Sequence, residues 1–169
     1  MTTADPAQSY APATSALAFR PVRASDVDLI ARQRRDMFAA NGRPDELLEP
    51  MVVAFRAWLA PRLASGEYFG WIVEDATGEP VAGLGMMAID WGPHPLHPRQ
   101  DKRGYITNVF VEPHLRGAGV ARALMAKATE EGRRRGLDLM VLHASTMGRP
   151  LYEQLGWQAG SEMTLSLAS

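Results

Sequence analysis

The sequence predicts an α+β fold, a single domain with one mixed sheet and helices on both of its faces. Three observations predict it. Two helical segments follow a short first strand, a glycine-containing turn joins two strands into a hairpin, and the remaining segments alternate strand and helix. The length of 169 residues fits one domain, and the 46% of apolar residues is enough for a core.

The first part of the domain combines one strand with two helices. Residues 17–22 alternate weakly in polarity and predict a strand. The segment Ala24-Ser25-Asp26 supplies a helix N-cap, and the Asn-Gly pair at 41–42 ends that helix. A second helix is predicted over residues 46–64, where apolar residues recur at spacings of three and four. Pro61 is expected to kink or end it.

A hairpin and a central strand follow. Residues 68–74 and 81–90 read as strands, and the turn at 75–80 joins them. Residues 91–103 contain three prolines and little to bury, which predicts a loop. Residues 105–111 are β-branched and aromatic, which predicts a central strand.

The last part returns to alternating elements. A helix is predicted over residues 116–135, a short buried strand over 139–143 and a short helix over 149–155 that Gly156 ends. An apolar final strand is predicted over residues 163–167.

Composition excludes several classes of protein. The 18 basic and 19 acidic residues leave a net charge of −1, which argues against an obligate nucleic-acid binder. The absence of cysteine excludes disulfides, thiolate metal sites and cysteine-linked intermediates. No apolar run approaches the ~18 residues that span a bilayer, and the first residues do not resemble a signal peptide. We therefore expect a cytoplasmic protein with a flexible tail over residues 1–15 and one domain over 16–169.

One segment suggests chemistry, the turn after the central strand. Glu112-Pro113 ends that strand, and Arg116-Gly117-Ala118-Gly119 opens a helix. Glycines allow close approach of a ligand to the backbone and unusual φ angles. The free N–H groups and the dipole at the start of a helix form an anion site that suits phosphate.

Two nucleotide-binding motifs fit this turn poorly. A Walker A loop needs a lysine that is missing here, and a dinucleotide fingerprint needs a third glycine where Arg122 stands. A nucleotide-binding domain is therefore a disfavoured alternative.

The turn resembles the R/Q-x-x-G-x-G/A signature of the GCN5-related N-acetyltransferase (GNAT) superfamily. The match runs from Arg116 to Ala121, and a Leu-Tyr-Glu-Gln-Leu-Gly-Trp segment follows at residues 151–157. The resemblance implies the acyl-CoA N-acyltransferase fold, whose central sheet is mostly antiparallel.

The resemblance also implies a site for acetyl-CoA. The pyrophosphate would lie on the backbone of the turn and the pantetheine beside the end of the central strand, while Tyr152 would protonate the leaving thiolate. Ser145 stands where many members have an asparagine, and it can still donate a hydrogen bond. The implied cofactor-binding residues are Val109, Phe110, Val111, Arg116, Gly117, Ala118, Gly119, Val120, Ala121, Ser145 and Tyr152.

The catalytic base is not assigned by the resemblance, because the strand lacks the glutamate that several members place there. Asp90 and His94 are candidates for the base or for a water relay, since Asp90 ends a strand and leads into the loop. His94 and His97 with Asp90 lack further ligands at regular spacing, so no metal is expected. His143 on its apolar strand is interpreted as a hydrogen-bonded core histidine.

The function implied is transfer of acetyl from acetyl-CoA to a primary amine of a small molecule or of a peptide or protein, by direct attack in a ternary complex. The alternative is a non-catalytic acyl-CoA-binding regulatory module. The expected partner is the amine acceptor, with no nucleic acid and no membrane. The apolar final strand would permit a homodimer.

Overall fold

The structure, a computed structural model, describes residues 17–167 and contains one five-stranded sheet. Strands lie in chain order across it, with the first four antiparallel to their neighbours and the fifth parallel to the fourth. The mixed, mostly antiparallel sheet is therefore confirmed. The strands are β1 (Ala18–Pro21), β2 (Tyr68–Glu74), β3 (Pro80–Asp90), β4 (Lys102–Val111) and β5 (Met140–Leu142).

Four α-helices flank the sheet and enclose two cores. The cluster with α1 and α2 contains Leu59 and Ile72, whereas the cluster with α3 contains Val73 and Leu124. Ile72 and Val73 are consecutive on β2, so the alternation of a strand supplies both cores. The helices are α1 (Val27–Ala40), α2 (Asp45–Ser65), α3 (Val120–Arg134) and α4 (Arg149–Gln154), with 3-10 turns at Ala24–Asp26 and Pro113–Leu115.

Two predicted boundaries are wrong, and one of the two effects expected of Pro61, the end of its helix, is not seen. α3 begins at Val120 rather than at residue 116, because Gly117 and Gly119 have φ of 81° and 84° and hold a turn. Pro61 does not end α2, which continues to the left-handed Gly66, since burial of Leu63 offsets the hydrogen bond that the proline cannot make. β4 begins at residue 102, where it pairs with the end of β3.

The predicted final strand is also wrong. Residues 157–167 form no strand in the described structure. Met163, Leu165 and Leu167 alternate as a strand would, but they are 93%, 84% and 90% exposed. Apolar alternation stabilises a strand only where a neighbouring strand completes the hydrogen bonds and a face covers the side chains, and neither is present there.

The described structure does not test the predicted tail or the predicted homodimer. The predicted tail over residues 1–15 lies outside the described residues, and the homodimer stays a prediction. Within residues 17–167, the helices are too short or too polar to span a bilayer.

A β-bulge interrupts β4 near its middle. Gly83 and Gly85 on β3 pair with Phe110 and Thr107, so two residues of β4 oppose the single residue between the glycines. Asn108, in the bulge, has a φ of 53°. Because β5 pairs only with residues 104–106, the second half of β4 has no partner strand on that side.

Buried hydrogen bonds hold this bulge in place. The Asn108 side chain is buried, and its Nδ2 donates to the Tyr68 hydroxyl at 3.0 Å. Tyr68 lies on β2, so its ring crosses β3 at Gly85 to reach that amide. The glycine is required there, because a Cβ would overlap the Tyr68 ring and hydroxyl.

We predict that Gly85→Ala lowers the free energy of unfolding by about 2 kcal/mol or more, because the added methyl group overpacks a site closed by Tyr68. Chemical denaturation measures the change. Gly92→Ala is the matched control, since its added Cβ meets nothing within 4 Å. Equal stabilities of the two variants would contradict the role given to Gly85.

Candidate functional site

The separation of β4 and β5 opens a cleft of about 730 Å³. Its walls come from the second half of β4, from α1 and from the segment between β5 and α4. Seven of the predicted cofactor-binding residues line this cleft, namely Val109, Phe110, Val111, Arg116, Ala121, Ser145 and Tyr152.

The glycine turn lies between the end of β4 and the start of α3. A Cβ built on Gly117 or Gly119 meets nothing within 4 Å, so the space in front of the turn is open. Among the described residues, the N–H groups of Gly119, Val120 and Ala121 have no hydrogen-bond acceptor. The Val120 side chain is buried in the core, so only its backbone is available to a ligand. Three free N–H groups at a helix start suit a phosphate.

Arg116 is folded against the end of β4. Its Nε donates to the Val111 carbonyl at 3.2 Å, and the exposed side chain lines the cleft. The arginine therefore adds a positive charge beside the free N–H groups of the turn.

Tyr152 lies on α4 and is half-buried in the wall of the cleft. Its ring stands against Gly148, where a Cβ would lie 3.1 Å from Cε2. Burial raises the pKa of the phenol above its ordinary value. The tyrosine is therefore a neutral hydroxyl at pH 7, able to donate a proton.

Ser145 has a structural contact in addition to its place in the cleft. Its Oγ accepts a hydrogen bond from the Gly148 N–H at 3.1 Å, which closes the turn before α4. The serine thus helps to position the helix that carries Tyr152, and its contact with a cofactor stays a prediction.

A second cavity of about 560 Å³ lies between α2 and the neighbouring parts of β3 and β4. It shares Arg34, Tyr105 and Thr107 with the cleft, so these three side chains form a common wall. The rest of its lining is apolar, from Met51, Ala54, Phe55, Trp58, Met87 and Ile89.

A chain of hydrogen bonds reaches this common wall. The Tyr105 hydroxyl lies 2.8 Å from Nδ1 of His143, and Nε2 of His143 lies 2.9 Å from a carboxylate oxygen of Glu162. His143 lines the cleft and is exposed, so its interpretation as a core histidine is wrong. An apolar strand pattern signals burial only where both faces are covered, and β5 ends beside the open cleft.

Asp90 and His94 line neither cavity. The Asp90 side chain is 95% exposed and lies 3.8 Å from Lys102 Nζ. His94 is exposed in the loop, where Nδ1 accepts the Leu96 N–H at 3.2 Å. The structure thus brings Tyr152 and the glycine turn to one cleft but does not bring the two base candidates there. Across residues 17–167, no three His, Cys, Asp or Glu side chains group as a metal site would.

Sequence reasoning missed Arg34, Tyr105 and Glu162. Each comes from a different part of the chain, and none belongs to a local motif. The β-branched and aromatic pattern of β4 did signal that Tyr105 lies on a central strand, but not what its hydroxyl contacts.

Comparison with known proteins finds acetyltransferases. The sequence profile of the acetyltransferase (GNAT) family matches residues 30–157. A crystal structure of a GCN5-related N-acetyltransferase from Ralstonia eutropha JMP134 is 47% identical, with a TM-score of 0.88 over 90% of this chain and 99% of that one. A predicted acetyltransferase from Clostridium acetobutylicum, solved with acetyl-CoA, is 26% identical, with a TM-score of 0.82 over 89% of this chain and 96% of that one.

A curated relative matches over a shorter stretch. The glucosamine 6-phosphate N-acetyltransferase of Trypanosoma brucei brucei is 39% identical over 56 residues, which are 33% of this chain and 38% of the relative's length. The family match covers most of the described residues and includes both the glycine turn and Tyr152. The predicted fold and the class of acyl-CoA-dependent acetyltransferases are confirmed, and the chain belongs to the acetyltransferase (GNAT) family.

Proposed function

We propose that the protein transfers the acetyl group of acetyl-CoA to a primary amine, with acetyl-CoA in the cleft and the amine entering from the second cavity. One observation carries this proposal. The cleft leads from the free N–H groups of the glycine turn to Tyr152, and it meets the second cavity at a common wall. Two ligands can therefore approach each other from opposite sides of β4.

The cleft has the chemistry that an acyl-CoA requires. The turn offers free N–H groups and open space to a pyrophosphate, with Arg116 beside it. The second half of β4 has unpaired backbone groups on the β5 side, which suit a pantetheine chain that bonds as an added strand. When bound, acetyl-CoA supplies a thioester whose carbonyl carbon can accept an amine.

The amine must lose a proton before it attacks, since a lysine-like amine with a pKa near ~10.4 is mostly protonated at pH 7. We assign the base to His143, which lines the cleft and contacts the Tyr105 hydroxyl through Nδ1 and the Glu162 carboxylate through Nε2. Since both ring nitrogens are engaged, the proton of the amine passes through the Tyr105 hydroxyl, which takes it up as its own proton moves to Nδ1.

Tyr152 supplies the proton that the leaving sulfur needs. Through Tyr105, His143 takes the first proton of the ammonium group, and the free amine then bonds to the acyl carbon. As the carbon–sulfur bond breaks, Tyr152 gives its proton to the sulfur, and the second proton of the new amide nitrogen returns to the Tyr152 phenolate. Because burial raises the pKa of Tyr152, the phenol stays protonated through neutral pH and is available to donate.

For the proposed site, the first prediction concerns the binding of acetyl-CoA. Gly119→Ala should weaken the affinity about tenfold or more, because the new methyl group enters the open space in front of the turn. Isothermal titration calorimetry measures the affinity. Gly78→Ala is the matched control, since Gly78 has the same φ of 84° and an equally open Cβ position in the β2–β3 turn.

Both glycine variants should lose similar stability, about 1–2 kcal/mol, because a left-handed alanine is strained at either place. Equal acetyl-CoA affinity in the two variants would remove the glycine turn from the proposed site.

The second prediction concerns the acid. Tyr152→Phe should lower kcat by about 10²-fold or more and leave acetyl-CoA affinity nearly unchanged. The wild-type rate should keep the contribution of this phenol until the pH exceeds about 10, since its pKa is raised and the group donates only while protonated. Thiol release across a pH series tests both statements. Unchanged kcat in Tyr152→Phe would contradict the assignment.

The third prediction concerns the base. His143→Gln should lower kcat/KM about 10²-fold near neutral pH, with partial recovery as the pH approaches the pKa of the amine, because free amine then no longer needs a base. Asp90→Asn and His94→Gln are the comparison variants and should keep nearly full activity. A loss in either of these with none in His143→Gln would move the base to the loop.

A regulatory acyl-CoA-binding module would give a different pattern. It would bind acetyl-CoA through the glycine turn, yet no amine would release thiol with any of these variants. A broad panel of amines therefore separates the enzyme from the module.

A further inference from the structure

Arg34 on α1 stands in the common wall of the two cavities with hydrogen-bonding capacity to spare. Its Nη1 donates to Asn108 Oδ1 at 2.6 Å and to Thr107 Oγ1 at 3.4 Å. Nε is buried without any partner, and Nη2 has no acceptor among the described residues. Two of the three guanidinium nitrogens are therefore uncommitted.

The positive charge of Arg34 is likewise uncompensated. Within residues 17–167, no carboxylate lies within 4.0 Å of its nitrogens. The guanidinium packs on the rings of Phe38 and Phe55, with centroid distances of 4.9 Å and 4.6 Å, which offsets only part of the loss of water. Burial lowers the pKa of Arg34, the sign of a cation that lacks an anion.

Arg35, the next residue, shows the contrast. Its guanidinium is paired with Glu49 and Asp45 at 2.9 Å each, on the surface. Two adjacent arginines of one helix thus differ in whether a carboxylate of the protein already binds the guanidinium. Nη2 of Arg34 remains to donate to a ligand, and a carboxylate is an anion that a guanidinium binds well.

The lining of the second cavity favours an apolar ligand group. The rings of Phe55 and Trp58 stack at a centroid distance of 5.5 Å, and Met51 and Met87 add flexible apolar surface. Among residues 17–167, no acidic side chain lines the cavity to hold a second ammonium group, and few polar groups are present there to satisfy the hydroxyls of a sugar. A polyamine, a basic peptide and an amino sugar therefore fit poorly.

We propose that the acceptor is an α-amino acid with a bulky apolar or aromatic side chain, whose carboxylate binds Arg34 and whose side chain fills the second cavity. An α-amino acid carries its amine and carboxylate on one carbon. With the carboxylate on Arg34, the amine lies at the same common wall, where Tyr105 leads to His143. This inference rests on the proposed acetyl transfer and names the substrate class of that site.

The test compares matched pairs of amines with and without a carboxylate. L-phenylalanine and phenethylamine form one pair, and L-tryptophan and tryptamine form the other. With acetyl-CoA, thiol release should give kcat/KM at least about tenfold higher for the amino acid of each pair. Spermidine, a lysine-rich peptide and glucosamine 6-phosphate complete the panel and should be poorer acceptors.

Variants of Arg34 test the named contact. Arg34→Gln should reduce the preference for the carboxylate to near unity. This preference is a ratio within one variant, so a change in kcat/KM that is common to both amines of a pair does not alter it. Arg34→Lys keeps the positive charge but loses the planar guanidinium with its several donors, so it should retain part of the preference. Arg35→Gln, the matched control, removes the same charge from the same helix and should keep the preference intact.

The outcomes separate this inference from the function it rests on. A loss of acetyl-CoA binding in Arg34→Gln, with the preference kept, would assign the guanidinium to the co-substrate and overturn the inference. Better acetylation of phenethylamine, of spermidine, of the peptide or of glucosamine 6-phosphate would also overturn it. If acetyl-CoA binds and no amine reacts, acetyl transfer fails. In that case, calorimetry of L-phenylalanine binding to wild type and to Arg34→Gln still tests the contact. Equal affinity in the two proteins would reject it.

Discussion

The side chain of Asn108 holds the point where the central strand changes direction, and both cavities depend on it. The residue is buried with a positive φ of 53°, donates to Tyr68 and accepts from Arg34. Because Asn108 is buried, a lost bond would leave a buried polar group unpaired, at a cost of about 1–3 kcal/mol. The bulge is thus stabilised from β2 and from α1, and the strand beyond it is free of β5.

This separation accounts for the division of the site into two chemically different halves. The cleft lies along the half of β4 that has no partner strand on the β5 side, whereas the second cavity is lined mainly by apolar side chains of α2 and β3. Ion pairs satisfy some charged groups elsewhere in the fold. Glu131 is one example, since Arg134 and Arg135 lower its pKa to about 2. Arg34 differs because its Nε is buried without a hydrogen-bond partner.

Local pattern predicted the elements but not all of their limits. The glycine turn between β2 and β3 and the left-handed Gly42 after α1 depend on near neighbours, so they are visible in the sequence. The start of α3 depends on the left-handed glycines, and the fate of residues 163–167 depends on whether another strand lies beside them. A strand has little stability without a partner strand, so the apolar alternation of residues 163–167 alone could not show whether they form one.

The sequence by itself determined the family, the sheet with its helices, and two separate segments beside the cleft, the glycine turn and the α4 segment with Tyr152. Each of these segments is recognised from a few neighbouring residues, because its conformation depends on near neighbours. The tertiary structure alone decided the other half of the site. Arg34, Tyr105 and His143 come from α1, from β4 and from the segment after β5, and they meet because the bulge opens the sheet between them. Contacts between distant segments depend on packing, for which a single sequence contains no local signal.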